Sequence, residues 1–321
     1  MRLGLLSTAR INELLVAGAR QVPGVEVVAI GSRELTRAQE QAQALGIPRA
    51  HGSYEQLLAD PDVEAVYIAL PNSQHVAWSL RALQAGRHVL CEKPLTRHPH
   101  ELEPVLDAAD RAELVFVEAF MWRHHPQARR LLELLNEIGE LRLIRASFSF
   151  LLERAGDIRL QAALDGGALM DVGCYCVSAT RLLAGEPLTV SAQQVRGAGA
   201  VDVRLTGLLR FPGEVLASID CGLDLAARDE LEVIGTHGVL WLDDPWHSRQ
   251  AGIELRRADG SVQRIEVEQR DPYACELEDF AAALAGERPP RYGRDDALAQ
   301  ARVIAALYAS AEDNEPKEVQ R

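Results

Sequence analysis

The first 120 residues alternate between short apolar runs and segments with helical periodicity about five times. Continuous apolar, β-branched runs indicate strands that are buried on both faces. Such alternation is typical of a parallel, doubly wound sheet with helices on both faces. The predicted strands are residues 2–6, 25–32, 63–70, 88–91 and 114–119.

Helix start and stop signals lie between these strands. Thr36 is followed by Gln39 and Ser53 by Gln56, and both pairs match the capping box. Gly86 directly follows a helical stretch, as a C-terminal cap would. We therefore predict that these three positions mark helix ends.

The pattern changes after about residue 120, where short strand-like runs follow one another closely. This indicates a mostly antiparallel sheet with one face for helices and the other for a partner. We predict an α/β chain with a Rossmann domain over residues 1–120 and an α+β, open-faced sheet domain over residues 121–321. Strand-like runs occupy 140–150, 188–195, 201–211, 215–221, 229–235, 238–242, 252–257 and 262–268, and helical patterns occupy 126–137, 168–183, 273–285 and 294–312.

Composition and charge exclude several classes of function. Apolar residues make up 47% and charged residues 25% of the chain, as in ordinary globular proteins. The formal charge of −13 disfavours broad binding to nucleic acid or anionic lipid. The N-terminus lacks a signal-peptide pattern, and no apolar run is long enough to span a bilayer. We expect a cytoplasmic protein with no nucleic acid or membrane partner.

The five cysteines are scattered and odd in number, which favours reduced thiols over a disulfide framework. Cys174 and Cys176 are separated by one residue, but no second cluster has metal-ligand spacing. We predict packing roles for the cysteines and no metal site.

The turn "GLLSTARI", which begins at Gly4, lies where a dinucleotide pyrophosphate would contact backbone amides at a helix N-terminus. Against the pattern G-x-G-x-x-G only Gly4 matches, because Leu6 and Ala9 occupy the other glycine positions. Spacing alone is equally compatible with an ordinary strand-to-helix turn. Ser7 and Thr8 either cap the helix or donate to a phosphate.

The end of the second strand usually selects between NAD and NADP. An acid there binds the 2′-hydroxyl of NAD, and an arginine accepts the 2′-phosphate of NADP. This chain has Ser32 and Arg33, with Arg37 one helical turn later, which favours NADP. The alternative is a solvated arginine that the adjacent Glu34 neutralises.

Two further loops follow neighbouring strands of the predicted sheet. "LPNSQH" begins at Leu70, and "CEKPL" contains Lys93. The carboxyl ends of parallel strands meet at the edge where ligands bind, so Lys93 is expected to point into this crevice. Pro94 fixes the exit of the chain from the strand.

The segment "GGALMDVGCYCVS" begins with two glycines at residue 166 and continues as a helical pattern. Asp171 and Tyr175 are spaced i, i+4 and therefore lie on one face of the helix. Both are polar in an apolar, small-residue helix. They either bond to each other in a core or act at a site.

Taken together, these motifs resemble the Gfo/Idh/MocA family of nicotinamide-dependent oxidoreductases over essentially the whole chain. "EKP" at 92–94, "LPNSQH" at 70–75, "EAFMWRHHPQ" at 118–127 and "GGALMDVGCY" at 166–175 match in order and spacing. The chain is most similar to the branch with glucose–fructose oxidoreductase, dimeric dihydrodiol dehydrogenase and NADP-dependent xylose dehydrogenases. Many other branches have histidine in place of Tyr175. The resemblance implies homo-oligomers, dimers or tetramers, that pair through the C-terminal sheet.

The resemblance also implies a catalytic set of Lys93, Asp171 and Tyr175. A free tyrosine, with a pKa of about 10, dissociates too weakly at neutral pH to act as a base. The Lys93 ammonium would favour the phenolate and bind the reacting oxygen, and Asp171 would orient the lysine or a substrate hydroxyl. Either Lys93 or Tyr175 transfers the proton.

Other contacts are implied in the same way. Trp122, Arg123 and His124 would line the substrate approach, although His124 and His125 equally suit the start of a packed helix. Further substrate contacts are expected from loops around 121–125, 151–165 and 222–229. The implied cofactor contacts are Gly4, Ser7, Thr8, Ala9, Arg10, Ile11, Ser32, Arg33, Arg37, Leu70, Pro71, Asn72, His75, Glu92 and Lys93.

The expected function is an NADP(H)-dependent oxidoreductase, with NAD as the alternative cofactor. It would transfer a hydride between the nicotinamide and a secondary hydroxyl or carbonyl of a sugar or cyclic polyol. One alternative is a dehydrogenase of a non-sugar cyclic diol. Another is a non-catalytic regulator that senses NADP.

Overall fold

The structure is a computed structural model that describes residues 1–154 and 156–320. It divides the chain into two compact units. The first comprises Met1–Met121 with Asp271–Leu298, and the second comprises Trp122–Arg270 with Ala299–Arg321. Residue 155, in one of the loops expected to contact substrate, lies outside the described residues.

The first unit contains a parallel sheet of six strands. They are β1 (Arg2–Leu6), β2 (Glu26–Gly31), β3 (Arg49–His51), β4 (Ala65–Ile68), β5 (His88–Glu92) and β6 (Phe116–Ala119). The order β3-β2-β1-β4-β5-β6 is that of a Rossmann fold, as predicted. The strand order reverses between β1 and β4, and in folds of this order ligands bind at the carboxyl ends of the strands beside that point.

The second unit contains a sheet of nine strands. They are β7 (Leu141–Leu151), β8 (Thr189–Arg196), β9 (Asp202–Arg210), β10 (Leu216–Gly222), β11 (Asp224–Gly235), β12 (Gly238–Leu242), β13 (Gly252–Arg257), β14 (Val262–Glu266) and β15 (Lys317–Glu318). The order is β14-β13-β12-β11-β7-β10-β9-β8-β15. Within this second sheet, as far as the structure describes it, only the β7–β10 pair is parallel, so the prediction of a mostly antiparallel sheet is confirmed.

The helices fall close to the predicted segments. They are α1 (Asn12–Ala19), α2 (Leu35–Leu45), α3 (Tyr54–Ala59), α4 (His75–Gln84), α5 (Glu103–Ala112), α6 (Pro126–Glu133), α7 (Cys174–Ala184), α8 (Pro272–Leu284) and α9 (Arg294–Asp313). None of the helices in the described residues is both long and apolar enough to cross a membrane.

One of the two predicted capping boxes is wrong. Ser53 does cap α3, because its Oγ accepts the N–H of Gln56 at 3.1 Å. Thr36, however, already lies inside α2, whose N-cap is Glu34 in an extended conformation. The Oγ of Ser32 accepts the N–H of Glu34 at 3.3 Å, which ties the chain to β2 just before the helix begins.

The core of the first unit lies between the sheet and helices that include α8. Leu5, Tyr67 and Leu90 of the strands and Leu277 and Phe280 of α8 are all at most 2% exposed. Gly18 of α1 permits the close approach of α8, because a Cβ at this position would lie 2.8 Å from the backbone nitrogen of Ala274. The segment that begins at Asp271 therefore packs on the N-terminal sheet.

The two faces of the nine-stranded sheet differ. Ile144 and Ala146 of β7 point to a core with less than 2% exposure, and Gly207 of β9 faces Leu307 of α9. On the opposite face Leu208 is 61% and Leu216 is 51% exposed. One face therefore packs on helices and the other presents side chains to solvent.

Candidate active site

The loop that follows β1 has a constrained backbone. Ser7 adopts a positive φ of 134°, a conformation that side chains rarely occupy. Its Oγ donates to the carbonyl of Ala69 at 2.8 Å. Helix α1 has no side-chain cap, so the suggested capping role of Ser7 and Thr8 is wrong.

Two amide side chains that the sequence did not reveal hold this loop from below. Asn12 is fully buried, and its Nδ2 donates to the carbonyl of Ser7 and to Oε1 of Gln41, both at 2.9 Å. Gln41 in turn donates to the carbonyl of Ala9 at 3.2 Å. The loop is thus fixed before any ligand binds.

The loop fits a dinucleotide pyrophosphate. Within the described residues, the backbone N–H groups of Thr8, Ala9, Arg10 and Ile11 donate to no protein acceptor. They precede the N-terminus of α1, where backbone amides and the helix dipole favour an anion. Gly4 lies before this loop, within β1, where a Cβ would approach Cγ1 of Val63 to 3.0 Å.

The end of β2 presents the predicted NADP-selecting residues. Ser32 is buried, whereas Arg33 is exposed and lies near Tyr54. Burial raises the pKa of Tyr54, and the neighbouring Arg33 opposes that rise. Glu34 pairs with Arg37 at 3.8 Å, and both side chains are exposed.

His75 connects the loops that follow β4 and β5. The ring is 1% exposed, with Nδ1 at 2.9 Å from the carbonyl of Pro94 and Nε2 at 2.8 Å from the carbonyl of Leu70. Pro71 and Asn72 lie in the turn between, partly exposed. His75 therefore fixes the backbone next to Lys93.

Glu92 supports the same loop from β5. The phenol of Tyr67 donates to Oε1 of Glu92, and the N–H of Lys93 donates to Oε2 at 3.2 Å. Burial, followed by Glu92, raises the pKa of Tyr67 well above its usual value, so the phenol keeps its proton and remains a donor. Lys93 is partly exposed at the carboxyl edge of the sheet.

Asp171 and Tyr175 lie in the second unit, at the start of α7. Leu169–Gly173 form a π-helical turn, a distortion that often marks functional sites, and α7 continues directly from it. Asp202 holds the turn by accepting the N–H of Leu169 at 2.7 Å and the hydroxyl of Tyr308 at 2.8 Å. Gly167 has a φ of 128° and no room for a side chain beside Asp202.

Aromatic rings surround Tyr175. Its ring centroid lies 5.4 Å from that of Phe148 and 5.9 Å from that of Trp246. Trp246 is fully buried, contacts Trp122 edge-on at 5.5 Å, and donates from Nε1 to the carbonyl of Ser147 at 3.0 Å. The phenol is therefore held in a rigid apolar wall.

A polar cluster supports Trp246 from behind. Asp229 accepts the N–H of Trp246 at 3.3 Å, and its Oδ2 lies 2.8 Å from Nδ1 of His247. Asp229, Asp244 and His247 have the spacing of metal ligands, but Nη2 of Arg249 lies 3.4 Å from each carboxylate. The guanidinium of Arg249 pairs with both carboxylates, so it takes the place that a bound cation would have in balancing their negative charge.

Asp171 has a partner that the sequence did not indicate. Nε of Arg159 lies 2.7 Å from Oδ2 of Asp171, and Nη1 of Arg159 lies 3.2 Å from Oδ1 of Asp157. Asp171 is the main cause that raises the pKa of Arg159. Arg159 lies in a short 3₁₀ turn, Ile158–Leu160, twelve residues before Asp171, and no periodic pattern in the sequence marks it.

The segment that begins the second unit is buried. Trp122, Arg123 and His124 are 2%, 5% and 7% exposed. His125 caps α6, because its Nδ1 accepts the N–H of Gln127 at 3.1 Å. The helix-start interpretation of His125 is therefore confirmed. All five cysteines are buried, and none of them forms a disulfide.

The structure thus assembles the predicted residues in two groups. Loops with Ser7, Arg33, His75 and Lys93 belong to the first unit, and Asp171 and Tyr175 belong to the second. The first group fits a dinucleotide, and the second combines a phenol, a carboxylate and aromatic rings.

Residues 3–120 match the GFO/IDH/MocA model for an oxidoreductase family with an NAD-binding Rossmann fold, and residues 125–241 match a GFO/IDH/MocA C-terminal domain. The chain belongs to the GFO/IDH/MocA family. It is therefore an NAD(P)-dependent oxidoreductase.

Known GFO/IDH/MocA proteins include similar chains. D-xylose 1-dehydrogenase (NADP⁺) 2 of Haloferax volcanii is 41% identical over 318 residues, which cover 97% of this chain and 98% of the relative. Human trans-1,2-dihydrobenzene-1,2-diol dehydrogenase is 38% identical over 254 residues, 76% of this chain and 75% of the relative. The 3-ketoreductase KijD10 of Actinomadura kijaniata, in complex with NADP and TDP-benzene, has a TM-score of 0.90 and 34% identity over 97% of both chains.

Proposed function

We propose that the protein is an NADP(H)-dependent dehydrogenase that oxidises a secondary hydroxyl of a sugar, or reduces the matching carbonyl. Bound NADP supplies the hydride acceptor, and NADPH the donor. The chain supplies the binding groups, the orientation and the proton transfer.

Lys93, Asp171 and Tyr175 form the proposed catalytic set. A base within hydrogen-bond reach takes the proton of the reacting hydroxyl, a role for the phenolate of Tyr175 or the uncharged amine of Lys93. The ammonium form of Lys93 stabilises negative charge on the reacting oxygen. Asp171 orients the substrate hydroxyl or the lysine, and Trp122, Arg123 and His124 contribute to the substrate pocket.

The proposed cofactor contacts are those implied by the sequence. The amides from Thr8 to Ile11 bind the pyrophosphate, and Arg33, assisted by Arg37 and Ser32, binds the 2′-phosphate of NADP. NADP is therefore the proposed cofactor and NAD the weaker one. The remaining contacts are assigned to Gly4, Ser7, Leu70, Pro71, Asn72, His75 and Glu92.

The observation that carries this proposal is the placement of Asp171 and Tyr175 on one segment, in a chain 41% identical to an NADP-dependent D-xylose dehydrogenase over 97% of its length. The second candidate is a dehydrogenase of a non-sugar cyclic diol. It is favoured by the human dihydrodiol dehydrogenase relative and by the aromatic rings of Phe148 and Trp246 beside Tyr175.

We also propose a division of labour between the domains predicted from the sequence. Residues 1–120 bind the cofactor, and residues 121–321 bind the substrate and form a dimer or tetramer through the exposed sheet face. The exposed Leu208 and Leu216 on that face support this assembly. Five cysteines outside disulfides support a cytoplasmic location.

The test is a substrate panel followed by the absorbance of the reduced nicotinamide. Aldoses, including D-xylose and D-glucose, are compared with trans-cyclohexane-1,2-diol, each with NADP and with NAD. We expect turnover of an aldose with NADP, at higher kcat/KM than with NAD. Faster oxidation of the cyclic diol would select the second candidate. Tight NADP binding without any turnover would favour a sensor instead.

A further inference from the structure

Asp157, Arg159 and Asp171 form a row of alternating charge in the second unit, which we call the Asp–Arg–Asp row. Arg159 donates from Nε to Asp171 at 2.7 Å and from Nη1 to Asp157 at 3.2 Å. The side chain of Asp157 is 9% exposed and that of Asp171 is 15% exposed, whereas that of Arg159 is 40% exposed. The carboxylates are therefore sheltered, and the guanidinium has an accessible side.

The backbone fixes this row in place. Asp157 accepts the N–H of Arg159 at 3.0 Å, and the carbonyl of Arg159 accepts the N–H of Gly167 at 2.8 Å. Gly166 has no room for a side chain, because a Cβ there would collide with the same carbonyl. Arg159 is thus held to the turn that leads directly into the segment of Asp171 and Tyr175.

The donors of Arg159 are not all used by the protein. Among the residues that the structure describes, Nη2 of Arg159 donates to no protein acceptor, whereas Nε and Nη1 each have a carboxylate partner. A guanidinium carries its five N–H donors in a fixed plane, so the direction of the Nη2 donors is set by the two ion pairs.

The charge of the row restricts its ligand. Two carboxylates and one guanidinium leave a net charge of −1, which disfavours a phosphate or carboxylate ligand. A hydroxyl both donates and accepts, so it can donate to a carboxylate oxygen while accepting from Nη2. The row therefore matches a neutral polyol rather than an anion.

We propose that the Asp–Arg–Asp row binds the substrate hydroxyl on the carbon next to the reacting carbon. This inference rests on the proposed function, in which Tyr175 acts at the reacting carbon. Asp171 lies in the π-helical turn and Tyr175 four positions later in the first turn of α7, so one short segment carries both side chains. Arg159 donates to the neighbouring oxygen and positions Asp171 to accept from it, while Asp157 positions Arg159. The site thus selects substrates with two adjacent hydroxyls.

A thermodynamic cycle tests this assignment by combining one protein substitution with the removal of one substrate hydroxyl. The kcat/KM values of wild type and Arg159→Met are measured with NADP, on D-xylose and on 2-deoxy-D-xylose. For wild type, we expect loss of the hydroxyl to lower kcat/KM about 10- to 100-fold, the usual effect of a lost polar contact in a site built for it. On D-xylose, Arg159→Met should lower kcat/KM by a similar factor relative to wild type. On 2-deoxy-D-xylose, the variant and wild type should have nearly the same kcat/KM.

The inference would be contradicted if the effects of the Arg159 substitution and of the missing substrate hydroxyl on kcat/KM were independent of each other. If Arg159→Met lowers kcat/KM by the same factor on both sugars, or leaves D-xylose unaffected, Arg159 does not hold the hydroxyl and the inference is wrong. A purely structural ion pair would give this additive result. Arg159→Lys keeps a charge but loses the planar fork, so it should recover only part of the loss on D-xylose. Arg129→Met, at an exposed arginine of α6 in the same unit and outside the expected substrate loops, is the control and should change kcat/KM for neither sugar.

Two further measurements keep the result interpretable. Asp157→Asn is a milder change that weakens the hold on Arg159, and it should lower kcat/KM on D-xylose while sparing the deoxy sugar. Thermal unfolding and NADPH binding establish that each variant is folded. If wild type oxidises the cyclic diol instead of the sugar, the pair becomes trans-cyclohexane-1,2-diol and cyclohexanol, with the same expectations. Wild type without turnover of any of these compounds would contradict the proposed function itself.

Discussion

Nδ1 of His75 lies 2.9 Å from the carbonyl oxygen of Pro94, the residue that follows Lys93. The other ring nitrogen lies 2.8 Å from the carbonyl of Leu70. One buried imidazole thereby joins the loops after β4 and β5. Rossmann folds bind dinucleotides at the edge of the sheet where these loops begin. We therefore expect His75 to couple cofactor binding to the position of Lys93.

Replacement of this imidazole by a ring without donors tests the coupling. His75→Phe removes the ring N–H and leaves a buried carbonyl without its donor, so the free energy of unfolding should fall by about 1–3 kcal/mol. The Kd for NADPH should rise and kcat should fall, because both loops lose their connection. Urea unfolding and fluorescence titration measure these effects. His100→Phe, at an exposed histidine of the same stretch, is the control. Equal behaviour of the two variants would refute the role of His75.

Trp246 is expected to be the main support of Tyr175. Trp246→Phe removes the hydrogen bond from Nε1 to Ser147 and leaves a cavity beside Tyr175, so unfolding should become easier by about 2–4 kcal/mol. The kcat should also fall, because the ring of Tyr175 loses the indole ring that packs against it. Trp241→Phe, at a half-buried tryptophan of β12, should cost less than about 1 kcal/mol. A smaller loss at Trp246 than at Trp241 would contradict this role.

Glu276 predicts a specific pH dependence of stability. It is 1% exposed, and among the described residues neither carboxylate oxygen has a hydrogen-bond partner. Burial, followed by Glu92 and Asp279, raises its pKa well above the usual value. The folded state therefore retains a proton that the unfolded chain loses above a pKa of about 4.3, and stability falls as the pH rises toward the raised pKa.

Glu276→Gln removes this titration. The free energy of unfolding of wild type, relative to the variant, should decline by up to about 1.4 kcal/mol per pH unit above about pH 4.3. Urea unfolding across this range, with the exposed Glu287→Gln as control, measures the slope. A difference between wild type and Glu276→Gln that is constant with pH would show that Glu276 is ionised in the folded protein.

Arg33 should determine the preference for NADP. Arg33→Ala removes the proposed charge-assisted bond to the 2′-phosphate, so the ratio of kcat/KM for NADP to that for NAD should fall about 10- to 100-fold. Arg37→Ala should have a smaller effect, because Arg37 pairs with Glu34 at 3.8 Å. Steady-state kinetics with both cofactors measure the ratio. An unchanged ratio in Arg33→Ala would show that other residues bind the 2′-phosphate of NADP.

The sequence predicted the parts of the fold that have a periodic or continuous pattern. The apolar runs of β1, β4 and β5 are strands because both faces of the parallel sheet are buried. It did not predict β3, which is three residues long and contains Arg49 and His51, too short and polar to show a pattern. The π-helical turn at Leu169–Gly173 was also beyond prediction, since a helical pattern does not reveal an extra residue in one turn.

The site was predictable only where residues occur in a recurring motif. Lys93, Asp171 and Tyr175 stand within such motifs, whereas Arg159 lies in a short 3₁₀ turn outside them and reaches Asp171 through tertiary structure alone. Trp246 and Asn12 likewise look like ordinary packing residues in the sequence. Their importance depends on which backbone groups they contact, and a single sequence does not specify those contacts.

The chain has only two lysines, Lys93 and Lys317, which makes the central claim directly testable. The decisive measurement is kcat together with the Kd for NADPH in Lys93→Ala, with Lys317→Ala as the matched control. We predict that Lys93→Ala lowers kcat by a factor of about 10³ or more while the Kd for NADPH stays within a few-fold of wild type, and that Lys317→Ala changes neither. A Lys93→Ala enzyme with near-normal kcat would contradict the account.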